Sequence, residues 1–426
     1  MPETTPRALI VGGSMAGLFC GVLLRAAGWE VDIYERAGDE LASRGAGIAT
    51  HDELYAAFVA AGIDLRAEMG VQSEGRIVLD RAGSVLGECA MPQIMTSWGF
   101  VFRFLRARFP DRHYHKGCVL EGLAQDGNGV EARFGNGERV RADWVIGADG
   151  TRSTVRHCVL PDAVPRYCGY FAWRGLIDET RVPPAVLARV AYRMAFGPAP
   201  RGHWLGYLVA GPGDDLRPGR RWYNWGWYRR ADPDALAAHL TDASGRHYPL
   251  GIPHDRMQPA LVAAMRREAH EELAPPIQRI VEATARPYIQ GIYEVESPRL
   301  VCGRVVLIGD AAFTARPHVG LGVSKAADDA RTLAAALGAN DRVAALAAWE
   351  TERLRYGRAA VQWGRDLGSY IEHPDAAEPG LRAKVEHYRQ ATTLMLETAS
   401  NSPARHLARL LDDDTLSGDG RPQPSG

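Results

Sequence analysis

The stretch Ala8-Leu9-Ile10-Val11-Gly12-Gly13-Ser14-Met15-Ala16-Gly17-Leu18 decides the fold. Four apolar residues read as a buried parallel strand, and a glycine turn follows at once. An apolar-periodic run continues to Ala27 and stops at Gly28, a helix C-cap residue. A second strand, 31–35, ends on Glu35, at about the spacing at which a dinucleotide fold places its ribose-binding acid. Strand, tight turn and helix N-terminus together make an anion site, because the first-turn N–H groups and the helix dipole face one point. The pattern G-x-G-x-x-G is met at Gly12 and Gly17, while Ser14 stands where its second glycine belongs. A βαβ unit for the ADP half of FAD or NAD is the reading. A glycine-rich turn in an ordinary α/β domain is the plain alternative, and other parts of the chain must decide.

Working outward, 426 residues hold two or three packed units, and 46% apolar residues allow a substantial core. A net charge of -1 gives no electrostatic reason to expect nucleic acid or an anionic membrane as partner. The six cysteines lack C-x-x-C or zinc spacing, so reduced thiols and no metal site are expected. The polar start lacks a signal-peptide core and no apolar run approaches membrane-spanning length, so a cytoplasmic protein is expected.

Residues 36–47 read as a loop whose landmark is Ser43-Arg44-Gly45-Ala46-Gly47-Ile48. Helical spacing follows over 52–61, a hairpin over 76–86 and a packed helix over 98–109. Val130, Ala132 and Phe134 alternate, Asn136-Gly137 supplies a primed turn, and Val140 and Ala142 return as the second arm of a hairpin. The apolar strand 144–147 then ends on Asp149-Gly150, with Ser153 and Arg156 one helical turn apart. Between 161 and 298 proline, arginine and tryptophan become frequent and alternating strands replace helical periods. A buried parallel-type strand returns at 304–308 and ends on Asp310, followed by a helix over 321–337 and further helices to 398. The fold class is α/β. A discontinuous Rossmann-like domain (1–160 and 299–370) carries an inserted, mainly antiparallel substrate domain (161–298), C-terminal helices (371–411) and an unstructured tail (412–426).

Three strand ends now form a set: the first glycine turn, Gly147-Ala148-Asp149-Gly150 and Gly309-Asp310. Open α/β sheets bind ligands at the carboxyl ends of their strands. With Tyr34-Glu35-Arg36, Trp173-Arg174-Gly175, Leu307-Ile308-Gly309-Asp310-Ala311-Ala312, Arg316-Pro317-His318 and the run 325–334, this set resembles the single-component FAD-dependent aromatic hydroxylases of the p-hydroxybenzoate hydroxylase type. The resemblance runs from about Arg7 to Tyr370, and the hydroxypyridine-hydroxylating members are the most similar group.

The resemblance implies a site residue by residue. Gly12, Gly13, Ser14, Met15, Ala16 and Gly17 would receive the FAD pyrophosphate, and Glu35 the adenosine ribose with Arg36 beside it. Leu120 would line the adenine, and Asp149, Gly150, Ser153 and Arg156 match the D-G-x-x-S-x-x-R motif. Asp310 would hold the ribityl chain or pyrophosphate, with Pro317, Gly320, Leu321 and Gly322 near the isoalloxazine. Relatives carry an arginine after the serine that opens the second helix; here Trp98 follows Ser97, and Arg103 is the nearest substitute. The absence of a second G-x-G-x-x-G leaves NADH or NADPH no fold of its own. The nicotinamide would therefore reduce the flavin transiently, and O2 would be taken up as a C4a-hydroperoxide that hydroxylates an electron-rich ring.

The substrate is expected to be a small aromatic molecule, a hydroxypyridine or phenol, which the protein orients, desolvates and favours as its anion. Candidate groups for that task are His318, His203, Tyr207 and His51. His203 and Tyr207 share one face of an alternating strand, where His203 reads equally as a hydrogen-bonded sheet histidine. His318 follows a proline in the flavin loop, and His51 reads equally as a cap for the helix at 52–61. The aromatic run 222–228 reads first as sheet packing, with one face bordering the pocket. A reductase without oxygen insertion and a non-catalytic flavin-binding protein are the alternatives, and a homodimer is left open.

Overall fold

The computed structural model describes residues 5–38, 47–65 and 68–411. Ser43 to Ala46 of the expected glycine loop and the tail 412–426 lie outside them.

One sheet carries the three strand ends. Its six strands run in the order Val301–Cys302, Val305–Leu307, Trp144–Gly147, Arg7–Val11, Glu30–Glu35 and Tyr114–Lys116, all parallel except the first pair. Val11 is level with Gly147, and Gly147 with Leu307. Gly12, Ala148 and Ile308 therefore leave the sheet side by side, and the backbone locks them: Gly12 N donates to Tyr34 O and Ala148 N to Val11 O, both at 2.8 Å, and Ile308 N donates to Gly147 O at 3.0 Å. Gly12 sits at φ 106°, and a Cβ there would lie 2.4 Å from Ala148 O, so only glycine lets the two loops touch.

Helices Met15–Ala26 and Gly322–Leu337 pack together in the same core as these strands, and the small sheet Leu120–Asp126, Gly129–Phe134, Arg139–Ala142 joins that core through Val130, Ala132 and Phe134. The buried strands are continuous apolar runs because both their faces are covered.

The second sheet has ten strands. Gly251–Ile252, Tyr288–Glu296, Arg166–Asp178, Trp222–Arg230, Gly202–Val209 and Arg193–Ala199 come from the expected insertion. Val71–Leu79, Val85–Ser97 and Gly47–Ala49 continue the sheet, and Phe313–Thr314 pairs on Tyr288–Glu296. The strands within 47–97, read from the sequence as part of the cofactor domain, thus belong to the second sheet, while helix Asp52–Ala60 between them packs in the core of the first. The joint is the parallel pairing of Met194 with Arg76, and a contact between such distant stretches leaves no local pattern.

Alternation divides the aromatic strand Trp222–Arg230 between two tasks. Tyr223, Trp225 and Trp227 are fully buried against helices Pro259–Glu272 and Pro275–Ala283, and Trp225 Nε1 donates to Thr284 Oγ1 at 2.9 Å. Trp222, Asn224 and Tyr228 face the other way, into a cavity.

Among the further helices expected up to 398, the stretch after 378 holds two, Pro379–Arg389 and Ala391–Glu397, separated where Gln390 is extended (ψ 135°). Among the described residues no helix is long and apolar enough to cross a membrane.

Candidate active site

A cavity of about 400 Å³ opens at the level strand ends. Gly12, Ser14, Met15, Ala16, Glu35, Arg36, Leu120, Asp149, Gly150 and Asp310 line it, all of them singled out in the sequence. Ser14 occupies the N-cap position of Met15–Ala26 without a side-chain cap bond, and the first turn holds no acidic residue, so its free N–H groups and positive dipole end present an anion site.

Four sequence candidates stand behind or outside this lining. Gly13 N donates to Glu35 Oε2 (2.7 Å) and Gly13 O accepts from Tyr114 OH (2.8 Å), so Gly13 braces the acid. At Gly17 a Cβ would lie 1.9 Å from Gly12 O, which makes it a packing glycine. Arg156 donates to Thr151 O (2.6 Å), Ala163 O (2.8 Å) and Ala311 O (2.9 Å), tying the second strand end to the third. Arg103 pairs with Asp214 away from the cavity, and Trp98, stacked on Phe102 at 5.0 Å, is the residue of its helix in the lining.

The two aspartates differ in kind. Asp149 Oδ2 accepts from Thr154 N (2.6 Å) and Val155 N (3.1 Å), and Oδ1 accepts from Ser153 OH, so this carboxylate caps a helix. The Asp310 carboxylate accepts no hydrogen bond among the described residues, although its main-chain carbonyl accepts from Thr314 Oγ1 (2.9 Å), and burial pushes the carboxyl up while Lys325 opposes the shift. Its turn is held from behind: Lys325 Nζ donates to Gly309 O (2.7 Å), Gly309 N to Asp329 Oδ2 (2.9 Å) and Arg353 Nε to Asp329 Oδ1 (2.8 Å).

A second cavity, of about 1040 Å³, shares Asp310, Gly322 and Val323 with the first. A Cβ added at Gly322 would meet nothing within 4 Å, so the junction is open. The two spaces therefore suit an elongated ligand with an anionic middle. Pro317, Gly320 and Leu321 lie on one side of the larger cavity, and Tyr207, Asn224, Tyr228, Tyr288, Gln290 and Arg174 on the sheet side. Arg174 is buried, bonds only to Gln290 Oε1 (3.3 Å) and Tyr228 OH (3.5 Å), and pairs with no acid among the described residues. Burial lowers its pKa, but the surrounding Tyr228, Tyr288 and Tyr207 outweigh that and raise it. Gly226 makes room for it, since a Cβ there would lie 2.8 Å from Nη1. In the sequence Arg174 stood only as part of Trp173-Arg174-Gly175, and neither Asn224 nor Gln290 carried a signal beyond its alternating strand.

Tyr207 is the one candidate catalytic side chain in the lining; the three histidines are not there. His203 shares the face of Tyr207 but sits about 13 Å further along the strand, where Nδ1 meets Tyr370 OH and Nε2 has no partner. His318 turns away from the cavity, with Nε2 2.9 Å from Tyr170 OH and its ring 4.2 Å from that of Tyr228. His51 occupies the N-cap position of Asp52–Ala60 without capping it, reaching Ser324 Oγ and Ser400 O at 3.0 Å each. Burial lowers all three, His51 to about 4 and His203 to about 3, so they are neutral around pH 7.

Comparison with known proteins bears on the cofactor and the chemistry. The chain matches the family described as FAD binding domain-like over residues 167–294 and the FAD binding domain family over 280–364. It is 34% identical over 381 residues to 2,6-dihydroxypyridine 3-monooxygenase of Paenarthrobacter nicotinovorans, covering 89% of this chain and 95% of that one. It is 30% identical over 395 residues to 3-amino-4-hydroxybenzoate 2-monooxygenase of Streptomyces cremeus, covering 89% and 91%. The solved structure of 2,6-dihydroxypyridine-3-hydroxylase from Arthrobacter nicotinovorans superposes with a TM-score of 0.82 at 33% identity, over 88% of this chain and 95% of that one. The chain belongs to the FAD-dependent aromatic hydroxylases of the p-hydroxybenzoate hydroxylase type.

Proposed function

We propose that the protein uses FAD and NADH or NADPH to hydroxylate a hydroxylated N-heteroaromatic or phenolic ring, bound as its anion in the larger cavity. The observation that carries this reading is Arg174, a buried guanidinium without an acidic partner among the described residues, in a cavity that runs on to Asp310 and the Pro317–Gly322 loop. A desolvated cation of this kind gains most when an anionic ligand completes it.

The six-stranded sheet and the loops at its strand ends are read as holding FAD. The helix N-terminus after Ser14 takes the pyrophosphate, Glu35 the ribose, Leu120 the adenine, and Asp310 the hydroxyls of the linking chain. When bound, FAD supplies the redox chemistry, taking electrons from the nicotinamide and activating O2 for transfer to the ring. The chain's own part is electrostatic and steric. Arg174 favours the ionised substrate, which is the electron-rich form, and holds its charged oxygen in place. Asn224, Gln290 and the hydroxyls of Tyr207 and Tyr228 offer the polar contacts that fix the ring's orientation. The aromatic and aliphatic remainder of the lining excludes water, as a reactive oxygen donor requires. The buried histidines are neutral supports of the cavity wall; Arg174 lowers the pKa of the substrate hydroxyl, so the ring gives its proton to solvent water and is held as its anion.

The test is aerobic turnover of the FAD-loaded protein with NADH and NADPH over a panel of hydroxypyridines and phenols, scoring hydroxylated product against hydrogen peroxide. One or more ring compounds should give product in near-stoichiometric yield. Peroxide alone with every ring would leave a reductase without oxygen insertion, and no turnover a flavin-binding protein.

A further inference from the structure

Arg76 is an arginine in an unusual place. It belongs to strand Val71–Leu79 and is almost wholly buried, yet no carboxylate pairs with it among the described residues. Its guanidinium donates to four oxygens: Met395 O at 2.8 Å, Gln93 Oε1 at 3.3 Å, and the carbonyls of Thr398 and Ala399. Three of the four are main-chain carbonyls at the C-terminal end of helix Ala391–Glu397, where the helix dipole favours a cation. Desolvation lowers Arg76 to about 10, which leaves it charged at neutral pH.

The segment it grips reaches the active site. Thr398 and Ala399 line the larger cavity beside Pro317, Gly320 and Leu321. Ala399 N donates to His318 O at 2.7 Å, and Ala399 is held at φ 47°, where a residue with a Cβ persists only when its surroundings fix it. Gly320 is what lets it come so close, since a Cβ there would lie 2.6 Å from that of Ala399. One residue on, Ser400 O meets His51 Nε2, whose other nitrogen meets Ser324 Oγ in the helix that follows the loop. A carbonyl can only accept, so His51 carries its proton on Nε2. Residues 398–400 are thus a strap, bonded to strand Val71–Leu79 of the second sheet through Arg76, to the 317–320 loop through His318, and to the helix after that loop through His51.

We propose that Arg76 is a positioning residue: it clamps the strap 398–400 against the 317–320 loop, and the strap in turn sets that wall of the substrate cavity and keeps water out of it. This rests on the proposed reading of the cavity as the site of ring hydroxylation. It assigns a role in the site to the C-terminal helices.

The experiment follows hydrogen exchange in the FAD-loaded full-length protein, together with the ratio of product to peroxide, for wild type, Arg76→Met and Arg76→Lys. In wild type, peptides spanning 391–402 and 316–324 should exchange slowly and speed up together when FAD is removed. In Arg76→Met both should exchange about tenfold faster or more while peptides of the six-stranded sheet do not change, and peroxide should rise at the expense of product. Arg76→Lys should recover protection in part, because it keeps the charge and loses the fork. Exchange in 391–402 that ignores FAD removal in wild type would overturn the proposal even if Arg76→Met fails to fold. So would a folded Arg76→Met protein with wild-type protection and coupling. If wild type makes only peroxide with every ring, the hydroxylase reading fails instead, and the exchange data still decide whether Arg76 clamps the strap.

Discussion

Arg156 Nη1 donates to the carbonyl of Ala311 at 2.9 Å, so the strand ends that carry Asp149 and Asp310 form one piece although 155 residues separate the bonded pair. The same guanidinium holds Thr151 O and Ala163 O. Arg156→Met should leave these carbonyls without their donor, at about 1–3 kcal/mol each where buried. FAD affinity should fall about tenfold or more, with Arg156→Lys intermediate. Fluorescence titration of the apoprotein with FAD reads this directly, and unchanged affinity in Arg156→Met would separate the tie from cofactor binding.

Asp310 lines both cavities and its carboxylate accepts no hydrogen bond among the described residues. Asp310→Ala should therefore cost cofactor affinity with little loss of fold, because no protein donor is left unpaired. The purified variant should be pale, with a FAD content well below that of wild type. A fully yellow Asp310→Ala protein would count against Asp310 as a cofactor ligand.

What could be read from the chain follows from what is local. The three level strand ends were legible because each is a short apolar run stopped by glycine or Asp-Gly, and their common level follows once the strands are parallel. The pairing of Val71–Leu79 with Arg193–Ala199 was not, since neither strand carries a mark of the other. His318 shows how sequence can place a residue in the right loop and say nothing of its direction. Its main chain is beside the cavity and accepts from Ala399, while its ring turns to Tyr170 and Tyr228. Arg174 was visible as a motif residue, but its lack of an acidic partner is a property of the packed sheet alone.

On the proposed function, Arg174 sets the charge of the substrate site. Arg174→Met should raise the KM or Kd for an ionised ring about 100-fold, the scale of a lost buried charge pair of 2–5 kcal/mol, and Arg174→Lys should lose less. A ring that cannot ionise should bind both variants about as it binds wild type. Equal losses for charged and uncharged rings would show a packing defect in place of a charge contact.

The buried histidines should make the protein less stable in acid. His51, His203 and His318 hold folded pKa values below their ordinary 6.5, His51 at about 4 and His203 at about 3, because burial disfavours the charged ring. Between those values and about 6.5 the unfolded chain binds more protons than the folded one, so stability falls as pH falls through that window. Each histidine should contribute a slope of up to about 1.4 kcal/mol per pH unit. Denaturant midpoints from pH 7.5 to 4.5 should drop steadily, and His51→Gln should flatten the curve. A flat wild-type profile over that range would mean that these rings are not held neutral.

If the larger cavity admits an ionised ring, that ring should control both the flavin's reduction and the fate of the oxygen. Anaerobic stopped-flow reduction of the FAD-loaded protein by NADH and by NADPH, with and without each hydroxypyridine or phenol, followed by mixing with O2, tests it most directly. At least one ring should accelerate reduction and be recovered hydroxylated after oxygen is added, and Arg174→Met should lose the acceleration. Reduction that no ring accelerates, with all the oxygen returned as hydrogen peroxide, would contradict the account.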